Sequence, residues 1–235
     1  STGAGGTTTL TTGSVPRGVA YHPSSKYIYV VNSGTNTIGA YTSSGNPPTL
    51  TVLNTLGTTT NLVATGATPY NIAIEPSGNY AYVTNSGDGT VSMYKICQIS
   101  RNTGVLPCTA GTLSSLGTVL VEASNSNPIQ ISANKTTVFV VSGSGKVYQF
   151  AIQSDGKLVA RATPYVDPGA GTVGIATFYN VNSSAATTFP SSGGAYIIKS
   201  QSLLYNSLTV SGLGSSFSAP IDTLIPGSSA IGMFR

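Results

Sequence analysis

The chain has 235 residues, 40% of them apolar, with 13 Tyr, 28 Gly and 13 Pro. That apolar content excludes disorder, and no 18-residue apolar run is present to form a membrane-spanning helix. Only 10 Lys/Arg and 6 Asp/Glu occur, 7% of the sequence with a net charge of +4 and no basic run, which excludes a nucleic-acid partner.

In chain order, the segment around Val19 (VPRGVAYHP) predicts a strand, followed by Lys26–Asn32 (KYIYVVN), Asn36–Thr42 (NTIGAYT) and Thr49–Leu56. A loose strand candidate, Thr7–Thr12, precedes them. The next unit is the clearest: Asn71–Ile74, Tyr80–Thr84 and Thr90–Tyr94 are rich in Ile, Val, Tyr and Thr, which suit a pleated, half-buried surface. The gaps between them, Pro76-Ser77-Gly78-Asn79 and Asn85-Ser86-Gly87-Asp88-Gly89, carry turn chemistry. Gly117–Val121 is its fourth strand. A third unit follows at the segment around Ile131, Thr137–Gly143, Gly145–Ala151 and Leu158–Ala162. A fourth follows at the segment around Ile175, Gly194–Ser200, Leu203–Thr209 and Phe217–Leu224. Ser229–Phe234 repeats the first-strand pattern once more. No long window shows helical periodicity.

Four strands per unit of roughly 45–55 residues is the pattern of a propeller blade, a small sheet that buries both faces only by stacking around an axis. The expected fold is all-β. It is a single β-propeller domain over 1–235, built of four-stranded antiparallel blades at about 15–60, 68–121, 127–163 and 171–224, plus a partial fifth at 229–235.

Tyr82-Val83-Thr84-Asn85, its near copy Tyr29-Val30-Val31-Asn32, and the surrounding P-x-x-I-A-I-x-P-x-G-x-x-x-Y-V-T-N pattern resemble the YVTN and lactonase-like propeller repeats. The resemblance covers residues 15–45 and 68–108 best and fades after 170. It implies either a bacterial or archaeal surface or secreted protein, or an enzyme of the 6-phosphogluconolactonase type. The family's lactonases use acidic, Arg and His residues around the channel, and no motif beyond the repeat carries those positions over to this sequence. Such proteins usually close seven blades, so the expected partial blade here is a departure.

Titratable groups are scarce. His22, Glu75 and Asn134 occupy equivalent positions at the ends of successive first strands, where they would meet one end of the channel. A His–Glu pair there could do acid–base work, hold a metal or bind a ligand at the channel end; alternatively these are polar turn positions. Arg17, Asn71 and Gln130 stand near the strand starts, at the other channel mouth, where they would hold an anionic or sugar ligand or satisfy local backbone. Asp88 lacks the ligand spacing of a Ca²⁺ loop. No catalytic set, metal site or cofactor is expected.

Cys97 and Cys108 flank Asn102-Thr103-Gly104, whose hairpin character would return one thiol to the other. A disulfide and an oxidising compartment are expected, two buried thiols being the alternative. Low charge and the unfinished last blade lead to the expectation of a non-enzymatic extracellular or cell-surface protein. It would form homo-oligomers or polymers as a filament or layer through the strand Ser229, Ala230, Ile231, Gly232, Met233 and Phe234. A secreted propeller that binds a glycan or protein, and a lactonase-like hydrolase, are the alternatives.

Overall fold

The computed structural model describes residues 12–45, 48–54, 59–98, 108–121, 127–168, 172–178, 194–200, 207–210, 217–220 and 229–234. Among these every regular element is a strand, and most of the strands form successive antiparallel sheets. The Thr7–Thr12 candidate lies outside the described residues except for Thr12.

The first blade runs β1 (Pro16–Tyr21), β2 (Tyr27–Asn32), β3 (Thr37–Ser44) and β4 (Thr49–Val52), each paired with the next. Its fourth position is split. β4 covers Tyr41–Ser44 of β3, and a further short strand, β5 (Leu62–Ala64), covers Thr37–Gly39. The predicted fourth strand, Thr49–Leu56, therefore stops at Val52, and Leu62–Ala64 finishes the sheet edge.

The second blade is β6 (Pro69–Ile74), β7 (Tyr80–Asn85), β8 (Thr90–Ile96) and β9 (Leu113–Leu120); the third is β10 (Pro128–Ala133), β11 (Thr137–Ser142), β12 (Val147–Ile152) and β13 (Leu158–Val166). The fourth begins with β14 (Thr172–Phe178) and β15 (Gly194–Ser200). β16 (Ser207–Val210) and β17 (Phe217–Pro220) pair only with each other as a two-stranded sheet.

The last strand, β18 (Ser229–Phe234), corrects the expected placement. It does not start a fifth blade. It pairs antiparallel with β15 through Ala195↔Phe234 to Ser200↔Ser229, and takes the third place that Leu203–Thr209 was expected to fill. Alternating apolar residues mark a strand but not its neighbour, so a first strand and a third strand read alike.

Inner strands β1, β6, β10 and β14 stand beside one another in succession, and the core fills the gaps between blades. Tyr29, Val31, Ile38, Ile72, Ala81, Val83, Tyr94 and Ile96 share the cluster between blades one and two. Tyr82, Val91, Met93, Ile131, Val138, Val140 and Phe150 share the next, and Phe139, Val141 and Val147 the third, with Ile175 packed against it. Alternate residues of one strand thus face opposite neighbours, which is why these strands read as nearly continuous apolar runs.

Two interblade joints repeat. Tyr29 donates its hydroxyl to the Gly111 carbonyl at 2.6 Å, and Tyr82 does the same to Gly156 at 3.0 Å. Both glycines sit in the turn before the fourth strand of the following blade, at φ +83 and φ +84, and a Cβ on either would strike the ring of Tyr27 or Tyr80. The left-handed backbone and the absent side chain let each aromatic pair lie flat on the next blade. Tyr94 likewise donates to the Ala64 carbonyl, at 2.6 Å.

Burial pushes the Tyr94 hydroxyl up to about 12, against a lowering hydrogen bond with Ser92. Burial also raises Tyr29 and Tyr82 well above the ordinary phenol value. A pKa higher in the folded than in the unfolded chain makes a contribution fully present below about pH 10 and lost as pH rises through the folded value. Tyrosinate absorbance is therefore expected to rise in two stages, exposed rings first, with the late stage coinciding with loss of β-sheet circular dichroism. A single transition of all 13 Tyr near the ordinary value, with the sheet intact, would contradict it.

Candidate functional site

Each inner strand opens with the same irregularity. The pairing register shifts between Pro16 and Gly18, Pro69 and Asn71, Pro128 and Gln130, and Thr172 and Gly174. One residue per blade is thereby bulged out: Arg17, Tyr70, Ile129 and Val173. Bulges re-aim side chains and are frequent beside active sites. In the first three blades the residue before the proline has positive φ, at 53° for Val15, 48° for Thr68 and 41° for Asn127. Val and Thr rarely adopt this region, at a cost of about 1–3 kcal/mol each. It is held by the turn between the second and third strands: Ser33 N–H donates to Val15 O at 2.9 Å, Ser86 N–H to Thr68 O at 3.0 Å and Gly143 N–H to Asn127 O at 2.9 Å.

At these strand starts the predicted group of Arg17, Asn71 and Gln130 makes two separate contacts. The Arg17 guanidinium lies 5.4 Å from the centroid of the Tyr70 ring, a cation–π distance. Asn71 donates Nδ2–H to Gln130 Oε1 at 2.5 Å, linking the second and third inner strands. Asn71 and Gln130 are half-buried and Arg17 is exposed. The mouth thus offers an accessible cation on an aromatic face beside two amide side chains, a set suited to an anionic or hydroxyl-rich ligand. Tyr70 was missed in the sequence. Its signal was present in the shared spacing after Pro16 and Pro69, but nothing in one sequence says that the second residue of a strand is a bulge.

The other group has a different task. Glu75 is buried and turns its carboxylate on its own turn, Oε2 accepting Ser77 N–H at 2.7 Å and Oε1 accepting Asn79 N–H at 2.8 Å and the Ser77 hydroxyl at 2.5 Å. Asn134 Oδ1 accepts Thr136 N–H at 2.9 Å and Thr137 N–H at 2.8 Å. His22 Nδ1 accepts Ser24 N–H at 3.1 Å while Nε2 lies 2.9 Å from the Gly78 carbonyl of the next blade, which makes Nε2 the protonated nitrogen. Three different side chains accept the N–H two residues on, as in an Asx-turn. With its acceptors so engaged, the row His22–Glu75–Asn134 caps turns. A cleft of ≈260 Å³ lies beside it, lined by Glu75, Tyr80, Lys135 and Gln153 among others.

Cys97 and Cys108 are joined in a disulfide with a Cα–Cα distance of 6.2 Å, a bond of oxidising environments. Among the described residues no group of three or more His, Cys, Asp or Glu converges as a metal site, and no helix is long and apolar enough to cross a membrane. Asp88 accepts from Thr90 and Ala67 N–H and is part of its turn.

Inner strands side by side around an axis, each carrying its own antiparallel blade, define a β-propeller. The family described as Lactonase, 7-bladed beta-propeller, matches residues 3–107, which take in the first blade and the first three strands of the second. Among solved structures, the periplasmic gluconolactonase of Pseudomonas aeruginosa is 13% identical with a TM-score of 0.54, over 94% of this chain and 57% of that one. A candidate 6-phosphogluconolactonase from Bacteroides fragilis NCTC 9343 is 15% identical with a TM-score of 0.54, over 93% and 56%. Another from Bacteroides uniformis ATCC 8492 is 14% identical with a TM-score of 0.54, over 77% and 46%. The chain thus spans about half the length of these structures, which share its fold. No curated protein matches. The lactonase match overturns the expectation of a non-enzymatic filament or layer protein, and the strand assigned to that assembly is already paired with β15.

Proposed function

We propose that this chain is part of a lactonase-like hydrolase acting outside the cytoplasm, and that the mouth formed by Arg17, Tyr70, Asn71 and Gln130 binds the lactone. The observation that carries the reading is the placement, at the bulged starts of successive inner strands, of Arg17 on the Tyr70 ring and of the Asn71–Gln130 amide pair, in a propeller whose first part the lactonase family matches. Opening a lactone means attack by water on the ring carbonyl, with negative charge developing on its oxygen. Arg17 supplies a positive charge, and the Asn71 amide a donor, at the same mouth; held in place beforehand, such groups stabilise the developing oxyanion. Arg17 would equally hold a phosphate or carboxylate on the sugar acid. The disulfide and the periplasmic location of one structural relative support the extracytoplasmic placement.

The test is hydrolysis of glucono-δ-lactone and its 6-phosphate, followed by pH-stat against the spontaneous rate. Arg17→Ala is expected to lower kcat/KM at least about tenfold, with Arg17→Lys recovering part of it. His22→Ala should lower thermal stability and leave kcat/KM of the folded enzyme unchanged. Absence of turnover above the spontaneous rate, or an Arg17→Ala variant with full turnover, would overturn the proposal.

A further inference from the structure

The turn that follows the inner strand differs in length between blades. Its closing hydrogen bonds run from His22 N–H to Tyr27 O at 2.8 Å, from Glu75 N–H to Tyr80 O at 3.2 Å and from Asn134 N–H to Thr137 O at 2.9 Å. Four residues lie between the partners in blades one and two, but only Lys135 and Thr136 in blade three. The longer turn of blade two fills its joint with blade one. Its Gly78 carbonyl lies 2.9 Å from His22 Nε2 and accepts Gln98 Nε2–H at 2.7 Å. At the next joint, where the turn is two residues shorter, stands the cleft of ≈260 Å³, lined by Glu75, Tyr80, Lys135, Ile152, Gln153 and Ser154 among others. It lies at the far end of the inner strands from the Arg17 mouth: Glu75 is four residues beyond Asn71, about 13 Å along an extended strand.

We propose that this cleft between blades two and three binds a small hydroxylated carboxylate. The groups around it divide into committed and free. Glu75 takes the Ser77, Asn79 and Tyr80 N–H groups, and Ser77 Oγ donates to Glu75 Oε1 while accepting from Asn79 Nδ2–H. The Tyr80 hydroxyl donates to the Ser154 carbonyl at 3.1 Å, which fixes its ring as a wall beside Ile152. Lys135, Gln153 and Ser154 are exposed, and among the described residues their side chains have no hydrogen-bond or ion-pair partner. The Lys135 ammonium only donates and takes the carboxylate. The Gln153 amide and the Ser154 hydroxyl both donate and accept, as a ligand's hydroxyl groups require. Tyr80 and Ile152 take the carbon chain. The volume falls below the ~300 Å³ at which drug-sized pockets begin, so the ligand is a short chain. The lactone-binding mouth is not required for this inference.

The experiment titrates the full chain at low salt with three four-carbon probes, followed by saturation-transfer NMR. Threonate carries the carboxylate and hydroxyls, erythritol the hydroxyls alone and butyrate the carboxylate alone. Threonate is expected to bind tightest, with Lys135→Met weakening it at least about tenfold and Lys135→Arg staying within about threefold of the parent. Replacing Lys135-Thr136 by Pro-Ser-Gly-Asn, the turn of blade two, should fill the cleft and abolish binding. Lys135 is exposed, so its single substitutions decide the matter even if the grafted turn does not fold. Arg17→Ala should leave threonate binding unchanged. Loss of binding in Arg17→Ala would move the site to the other mouth and overturn the proposal. So would no threonate binding, binding that survives Lys135→Met, or erythritol or butyrate binding as tightly as threonate.

Discussion

A Gly156→Ala variant is expected to be about 3 kcal/mol less stable than the parent, a Tm lower by roughly 6–12 °C for a chain of this size. Two costs combine. An L-residue held in the left-handed region costs about 1–2 kcal/mol, and Gly156 has φ +84. The new methyl would also enter the space of the Tyr80 ring, and overpacking of this kind costs about 1–3 kcal/mol. Gly117 separates the two costs, because its φ is +99 and nothing lies within 4 Å of its Cβ position. Gly117→Ala should therefore show the backbone cost alone. Thermal melts of both variants decide the matter: a Gly156→Ala protein no less stable than Gly117→Ala would mean that the Tyr80–Tyr82 joint does not govern packing. Because that joint sets the third blade against the second, Gly156→Ala should also disturb the Asn71–Gln130 contact and reduce ligand binding at the mouth.

Glu75→Ala is expected to cost about 3 kcal/mol, and Glu75→Asn to recover most of it. The carboxylate accepts Ser77 N–H, Asn79 N–H and the Ser77 hydroxyl while itself 3% exposed. Hydrogen bonds to a charged group contribute about 1.5–3 kcal/mol each, and orphaned buried donors add desolvation cost. The rescue follows from the third blade, where Asn134 does the same work with Thr136 N–H and Thr137 N–H. Urea denaturation of the three proteins is the measurement. If Asn were as damaging as Ala, the position would require the charge itself, and the turn-capping role would be refuted.

That last comparison shows what could be read from residues alone. His22, Glu75 and Asn134 were legible as equivalent positions because the repeat is clear around them. Their chemistry suggested a site, since His and Glu are the residues that catalysis uses. The short polar turns that follow, Pro-Ser-Ser, Pro-Ser-Gly and Lys-Thr, carried the alternative reading as turn positions, for each leaves an N–H two residues on that a side chain can accept. Arg17, Asn71 and Gln130 were placed at the correct end of their strands, but the bulge that turns Arg17 onto Tyr70 depends on pairing with the second strand, which no local pattern records. The disulfide was foreseeable because only two Cys occur and the turn-forming sequence Asn102-Thr103-Gly104, which lies outside the described residues, stands between them.

Blade count and strand order divide along the same line. The alternation of β-branched and aromatic residues, punctuated by Gly, Pro and Asn, determined an all-β chain of antiparallel blades, because period-two burial and left-handed turns are properties of neighbouring residues. Tertiary structure decided which strand completes which sheet. β18 and the expected third strand carry the same alternation, and the choice of β18 as partner of β15 is a competition among long-range pairings. The split edge of the first blade between β4 and β5 was decided in the same way. So was the burial of Ile72 and Ile131, which hold equivalent positions in the repeat and each pack against the described blade before them.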